Sequence, residues 1–394
     1  MKFDNLLRYA VRILALYAGE IPLHSFLKNF FRENPQMGSR DRKQVSEMCY
    51  CFFRMGHALK NIPLEERILS GIFLTNNHHE QILEQLRPEW HLKIENALEE
   101  KLEMISLKFP GFMVTDIFPW KNLISDGMDH EAFCLSFLEK PRLFIRVRPA
   151  REQELTEKLI QHKLDYRNAD PGSQLPFKTF SFSGATKLDN VFLLNREAVI
   201  QDLSSQKTAL FLKPDAKREF EAWDCCAGSG GKSILMTDLY PGCRITVSDI
   251  RESILKKLSN RFRDAGIEPA NLFSADLTDQ NDIPRQSFNF IVADLPCTGS
   301  GTWSRTPEAL YYFNPETISN YRQRQERILS NIVRRLKPNG VLVYITCSVF
   351  ADENERISAR LLESGNMKLE MEAIIKGYKD FADSMYVARF TKLV

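Results

Sequence analysis

Apolar residues recur at helical spacing from the start of the chain, with Leu6, Leu7, Ala10, Val11, Leu14, Ala15 and Ala18 on one side. Asp41 to Leu59 repeats the pattern: Val45, Met48, Cys49, Phe52 and Phe53 share a face, and Arg40, Arg42 and Lys43 sit at its start. A polar break at Asn76 to Glu80 and a Glu- and Lys-rich helical stretch, Pro88 to Leu107, complete a helical region over residues 1–125. The pattern then changes. Leu143 to Arg148, Phe180 to Ser183 and Val191 to Leu194 read as short strands, with a helix over Arg151 to Lys163 and Gly and Asp turn signals between. Residues 126–200 therefore form a small α+β module. Its basic run, Arg142, Arg146, Arg148 and Arg151, puts Arg146 and Arg148 on one strand face. Such a face suits phosphate or plain solvation.

From 201 to 394 strands and helices alternate, which predicts an α/β domain with a parallel sheet covered by helices. The expected strands are Ala222 to Cys225, Arg244 to Ser248, Asn271 to Ser274, Phe288 to Ala293 and Gly340 to Ile345. The expected helices are Lys232 to Leu239, Glu252 to Ala265, Pro315 to Leu336 and Asp352 to Glu363. Pro338-Asn-Gly340 reads as the turn ending the long helix. Alternation around Ser384 to Phe390 predicts a closing antiparallel strand.

Composition narrows the class. A chain of 394 residues, 43% hydrophobic and with net charge +2, has room for two or three domains and no global signature of a polyanion partner. No run of eighteen apolar residues predicts a membrane helix, and the start does not read as a signal peptide, so a cytoplasmic protein is expected. The eight cysteines include no C-x-x-C pair, so neither a metal site nor a disulfide framework is expected. Cys49, Cys51, Cys134 and Cys243 read as small buried apolar groups.

The sharpest local signal is Ala222-Trp-Asp-Cys-Cys-Ala-Gly-Ser-Gly-Gly-Lys-Ser233. A strand runs into a glycine-rich turn and then a helix, where backbone N–H groups meet a ligand closely. Two ligand classes fit Cys226, Ala227, Gly228, Ser229, Gly230, Gly231 and Lys232: a phosphate, or the ribose and amino-acid end of S-adenosylmethionine. Gly231-Lys232-Ser233 matches the end of a Walker A loop, but the first glycine that loop requires falls on Cys226. The next strand ends at Asp249, placed to accept both ribose hydroxyls of a nucleoside, and the one after it leads to Asp276, placed for an adenine edge. That company favours the nucleoside cofactor, with a P-loop nucleotidase as the alternative.

The fourth strand runs into Asp294-Leu-Pro-Cys297-Thr-Gly and the fifth into Thr346-Cys347-Ser348. Both cysteines follow the carboxyl ends of parallel strands, the edge where ligands bind in such folds, so two thiols point to one cleft. Methylation of cytosine at C5 calls for this arrangement. A thiolate added to C6 turns C5 into a nucleophile, and a carboxyl group at N3 eases the addition.

Taken in order, Asp224 to Ser233, Asp249, Asp276, Asp294-Leu-Pro-Cys297-Thr-Gly, Thr302 to Glu308 and Thr346-Cys347-Ser348 with Glu353-Asn354-Glu355 resemble the Nol/Nop/Sun family of RNA cytosine-5 methyltransferases, in its bacterial RsmB-like branch. Gln201 to Ser205 resembles the segment entering that family's catalytic domain. The resemblance implies a Rossmann-like class I S-adenosylmethionine methyltransferase domain over 201–394, an RRM-like module over 126–200 and a NusB-like helical domain over 1–125. It implies Cys347 as nucleophile, Cys297 in proton removal and product release, and Asp294 at the cytosine N3 edge or the cofactor amine, with Lys232 beside them. Arg305 would meet RNA or support the loop. The implied partner is RNA, ribosomal (16S) before transfer RNA, with no membrane and no metal, acting as a monomer. Ser229 stands where the family usually has proline, and Thr298 where it often has serine.

Overall fold

The computed structural model of the chain describes residues 3–213 and 219–394. The backbone falls into two units: a helical one of the chain up to Asn122, Asp129–Lys140 and Thr302–Asn314, and one of Leu123–Met128, Pro141–Gly301 and Pro315–Val394.

In the helical unit, Ser39–Arg54 buries the face its spacing predicts, including Val45, Cys49 and Phe53, whereas Phe3–Leu16 buries Leu6, Leu7, Ala10 and Leu14 but leaves Ala15 exposed, with Ile13 buried in addition. The helix from Ser39 ends at Arg54, short of Leu59. Gly56 takes φ +49°, and a Cβ there would lie 2.2 Å from the Ile117 carbonyl oxygen, so the chain must turn at a glycine. The Pro88 to Leu107 stretch is two helices, Pro88–His91 and Leu98–Lys108. Buried Lys101 donates to the Ile94 carbonyl in the gap between them and to that of Asn76. The motif stretch Thr302 to Glu308 belongs to this unit, where Glu308 accepts from the Leu23 amide at 3.1 Å, at the first turn of the helix Leu23–Glu33. Arg305 is exposed there. Cys49, Cys51 and Cys134 are buried, as expected of apolar fillers, whereas Cys243 is only partly buried.

The second unit opens with a four-stranded antiparallel sheet: β1 (Leu143–Val147), β2 (Tyr166–Asn168), β3 (Thr179–Phe182) and β4 (Ala198–Ile200), in the order β2-β3-β1-β4. Val191 to Leu194 is not a strand. Leu188 and Phe192, four apart and both buried, wind a helical turn with the Phe192 amide donating to the Leu188 carbonyl, and β4 follows later. Ile145 and Val147 pack with Leu155 and Leu159 of the helix Glu152–Gln161 on one face. The opposite face is closed as well. Phe144 packs with Leu203 and Ala382, and Arg146 is 1% exposed. An RRM-type sheet has four strands and binds RNA on a face lined by aromatics; this sheet has the four strands, with its second face covered. The phosphate reading of Arg146 and Arg148 is corrected. Arg146 Nη1 lies 2.6 Å and Arg148 Nε 2.8 Å from the Asp238 carboxylate, within the protein.

The larger sheet has seven strands: β5 (Phe220–Asp224), β6 (Cys243–Asp249), β7 (Asn271–Ser274), β8 (Phe288–Asp294), β9 (Leu336–Thr346), β10 (Met367–Ile375) and β11 (Met385–Lys392), ordered β10-β11-β9-β8-β5-β6-β7. β5 to β9 run parallel; β11 pairs antiparallel with β9 and β10. The α/β expectation is met, and the closing strand lies where alternation placed it. Alternate residues serve opposite cores: Phe290 and Val292 pack on one side, Ile291 and Ala293 on the other. The long helix, Thr317–Ile332, ends before Pro338-Asn-Gly340, which instead forms an irregular start to β9, with Asn339 at φ +59° and a register shift against β8. Chain order reverses between β5 and β8, and a crevice opens beyond their carboxyl ends. No helix among the described residues is long and apolar enough to cross a membrane.

Candidate active site

The crevice is a cavity of about 630 Å³. The loop after β5 forms one wall. Its path is set by main-chain bonds: Cys225 N donates to Val292 O, Ala227 N to Ser248 O and Gly230 N to Ala227 O. Gly230, at φ +84°, caps the helix Gly231–Leu239, and a Cβ there would lie 3.2 Å from Leu258 and Phe262. Its Cα hydrogen side is packed against the helix Glu252–Ala265. Cys226, Ala227, Gly228, Ser229, Gly231 and Lys232 line the cavity, together with Asp249, Asp276, Asp294, Cys297 and Cys347. A Cβ on Gly228 would meet nothing within 4 Å, so the loop leaves open space on its ligand side. Ser229 is held from outside the loop: Arg261 donates to its carbonyl at 2.8 Å and hydroxyl at 2.9 Å, and to Asn195 at 2.9 Å.

Asp249 ends β6 and accepts the Gly228 amide at 3.0 Å, tying the acid to the loop. Its carboxylate is buried, which works against ionisation, but the hydrogen bonds from Arg251 prevail and hold its pKa below the ordinary aspartate value. Asp276 folds over its own turn. Thr278 donates to one oxygen from its amide at 3.0 Å and its hydroxyl at 2.8 Å, which keeps the carboxyl easily ionised.

Lys232 Nζ lies 2.6 Å from Asp294 Oδ2. Burial opposes the lysine's charge, but Asp294 outweighs it and holds the ammonium pKa above the ordinary value. Beneath the loop, buried Asp224 accepts from the Ser233 hydroxyl. Burial pushes its carboxyl up to about 7 against that bond. These contacts remove the nucleotidase alternative: the Ser233 hydroxyl is fully buried on Asp224 and Lys232 is engaged by Asp294, whereas a P-loop presents both to metal and phosphate.

Cys297 Sγ and Cys347 Sγ stand 3.2 Å apart. The thiol of Cys297 ionises far less readily than a free cysteine, first because Cys347 lies against it and then because it is buried. A buried carboxylate, Glu353, holds both cysteine loops. It accepts from the Thr298 amide at 2.9 Å, the Thr298 hydroxyl at 2.6 Å and the Ser348 hydroxyl at 2.5 Å, one residue past each cysteine. Thr298 therefore keeps the hydroxyl that a serine would supply. The two loops also join directly, by Gly301 N donating to Cys347 O at 2.8 Å. Gly301 is needed there because a Cβ would lie 2.0 Å from the Ser384 carbonyl oxygen.

The role of Glu353 was not legible in the sequence, although it sits in the Glu353-Asn354-Glu355 motif; only folding shows what it grips. Arg251, Arg261 and Arg324, also on the cavity wall, carried no signal. Gln201 and Ser205 of the entering segment line it too, bonded to each other at 3.1 Å.

Residues 209–386 match the family model described as 16S rRNA methyltransferase RsmB/F. A protein of Photorhabdus laumondii named ribosomal RNA small subunit methyltransferase B is 30% identical over 171 residues, 43% of this chain and 39% of its own length. Its namesake from Xylella fastidiosa is 32% identical over 160 residues, 40% and 37% of the two chains. The match thus spans about two fifths of these relatives' lengths. Among solved structures, PH0851 shares the fold over 100% of this chain and 99% of its own, at a TM-score of 0.69 and 18% identity. A methyltransferase homologue from Pyrococcus horikoshii does so over 68% of this chain and 92% of its own, at 0.57 and 21%. Residues 209–386, which carry the glycine loop, the acidic strand ends and the paired cysteines, are thus similar to the RsmB/F methyltransferase family.

Proposed function

We propose that this chain is an S-adenosylmethionine-dependent RNA methyltransferase that forms 5-methylcytosine, with small-subunit ribosomal RNA as its substrate. The observation that carries the reading is the pair of thiols, 3.2 Å apart, in the same cavity as the glycine loop and its acids. The names of the curated relatives favour ribosomal RNA. The lining suits the cofactor: the Gly228 loop is open, Asp249 would take the ribose and Asp276 the base edge, with Ile250 and Leu277 as apolar wall. When bound, S-adenosylmethionine supplies a methyl group on a positively charged sulfur, the electrophile that an activated C5 requires.

The protein's own groups divide the remaining work. Cys347 as thiolate adds to cytosine C6, forming a carbon–sulfur bond and moving the ring electron pair toward C5. Asp294, steadied by Lys232, meets the N3 edge and eases that addition. Once methylated, C5 carries one proton too many. Cys347 is then a thioether. Cys297, whose sulfur stands 3.2 Å from that of Cys347 in the free protein, acts as thiolate and takes the C5 proton. The electron pair restores the C5–C6 double bond, the carbon–sulfur bond breaks, and Cys347 leaves as thiolate. The cytosine must be unpaired or flipped from its stack to reach the cleft.

With a 16S rRNA transcript and labelled cofactor, Cys347→Ala abolishes methyl transfer, and Cys297→Ser accumulates a covalent protein–RNA adduct on denaturing gels. Wild-type turnover by Cys347→Ala would reject the mechanism.

A further inference from the structure

Each oxygen of the Asp249 carboxylate already carries two donors. Oδ1 accepts from the Arg251 backbone amide at 2.9 Å and from Arg251 Nε at 3.0 Å; Oδ2 accepts from the Gly228 amide at 3.0 Å and from Arg251 Nη2 at 3.1 Å. A carboxylate offers about four acceptor positions, and here all are filled. The two amides belong to the backbone and cannot leave. The guanidinium can: the Arg251 side chain is 61% exposed, against 5% for Asp249. Its fork places one N–H on each oxygen, as a ribose would place its two adjacent hydroxyls. A guanidinium and a diol cannot both occupy those positions.

We propose that Arg251 is the internal competitor of the cofactor's ribose, holding Asp249 in the free protein and swinging into solvent as the diol binds. This rests on the reading that the cavity takes S-adenosylmethionine. Arg251 thereby sets the affinity for the cofactor and for its demethylated product alike, because both present the same ribose. Apparent affinity falls by the fraction of molecules in which Asp249 is open. An ion pair this exposed is weak enough to yield to a ligand and strong enough to register. Lysine is no substitute, since a single ammonium cannot bridge both oxygens in the same fork.

Calorimetric titration of the full chain with S-adenosylhomocysteine, a zwitterion without net charge, tests this. Arg251→Ala should bind more tightly than wild type, by up to about fivefold, the upper end of what an exposed ion pair contributes, with Arg251→Lys in between. Raising the KCl concentration should tighten binding by the wild type, because salt screens the exposed pair, and leave Arg251→Ala unchanged. Unaltered or weaker binding by Arg251→Ala, when the wild type binds, overturns the proposal alone. A wild type that binds neither S-adenosylhomocysteine nor S-adenosylmethionine overturns the cofactor reading, and this proposal with it.

Discussion

The helix Gly231–Leu239 carries an unfavourable charge at both ends, Lys232 in its first turn and Asp238 in its last. The helix dipole favours the opposite placement. Each charge is balanced from outside, and the two solutions differ. Asp238 is 2% exposed and takes one arginine on each oxygen, Arg146 and Arg148. Arg146 also reaches Gln201, and Arg148 reaches the Asn195 and Ala265 carbonyls. That end is closed, with both acid oxygens engaged by protein. At the other end Lys232 meets a single acid, Asp294, whose side chain is 31% exposed and lies on the cavity wall. The first arrangement joins the small sheet to the large one; the second holds an acid with one face turned to the cavity. Closure on one side and spare capacity on the other separate a sealed ion pair from one open to the cavity.

The comparison can be broken in three ways. The largest effect is expected from Asp238→Ala, which strands the buried Arg146 guanidinium and should cost about 3–5 kcal/mol in urea unfolding. Lys232→Ala should change stability by about 1 kcal/mol or less while lowering methyl transfer about 100-fold, as loss of a positioned charge at a reacting centre does. A Lys232→Ala protein as unstable as Asp238→Ala, yet fully active, would erase the distinction. The third test concerns Asp224, under the Lys232 end. Its folded pKa is raised from 3.8 to about 7. Between those values the unfolded chain loses this proton and the folded chain keeps it, so the group lowers stability as pH rises from about 4 to 7 and adds no further slope above. Asp224→Asn should remove that slope, read as unfolding midpoints that fall less steeply between pH 5 and 7 than in the wild type.

Much of the site was legible before folding. Glycines, an acid at each of two strand ends and a cysteine after each of two others are local signals, because a parallel sheet brings its carboxyl ends to one edge. The helix Glu252–Ala265 and strand Asn271–Ser274 lie where periodicity put them. The misreadings share one cause. Arg146 and Arg148 looked like a basic strand face because alternation tells which residues share a side and not what covers it. Val191 to Leu194 looked extended, although Leu188 and Phe192 close a helical turn.

By itself, the order of residues determined the chemistry on offer: two thiols, a glycine loop, acids at strand ends and an α/β frame to carry them. Only the tertiary structure decided how those groups are engaged. It set Lys232 on Asp294, Ser233 on Asp224 and Arg251 on Asp249, latched both cysteine loops to Glu353, and closed the face bearing Arg146. The physical reason is range. Helix and strand periodicity act over a few residues, whereas burial and charge pairing depend on neighbours that the sheet's crossovers bring from tens of residues away.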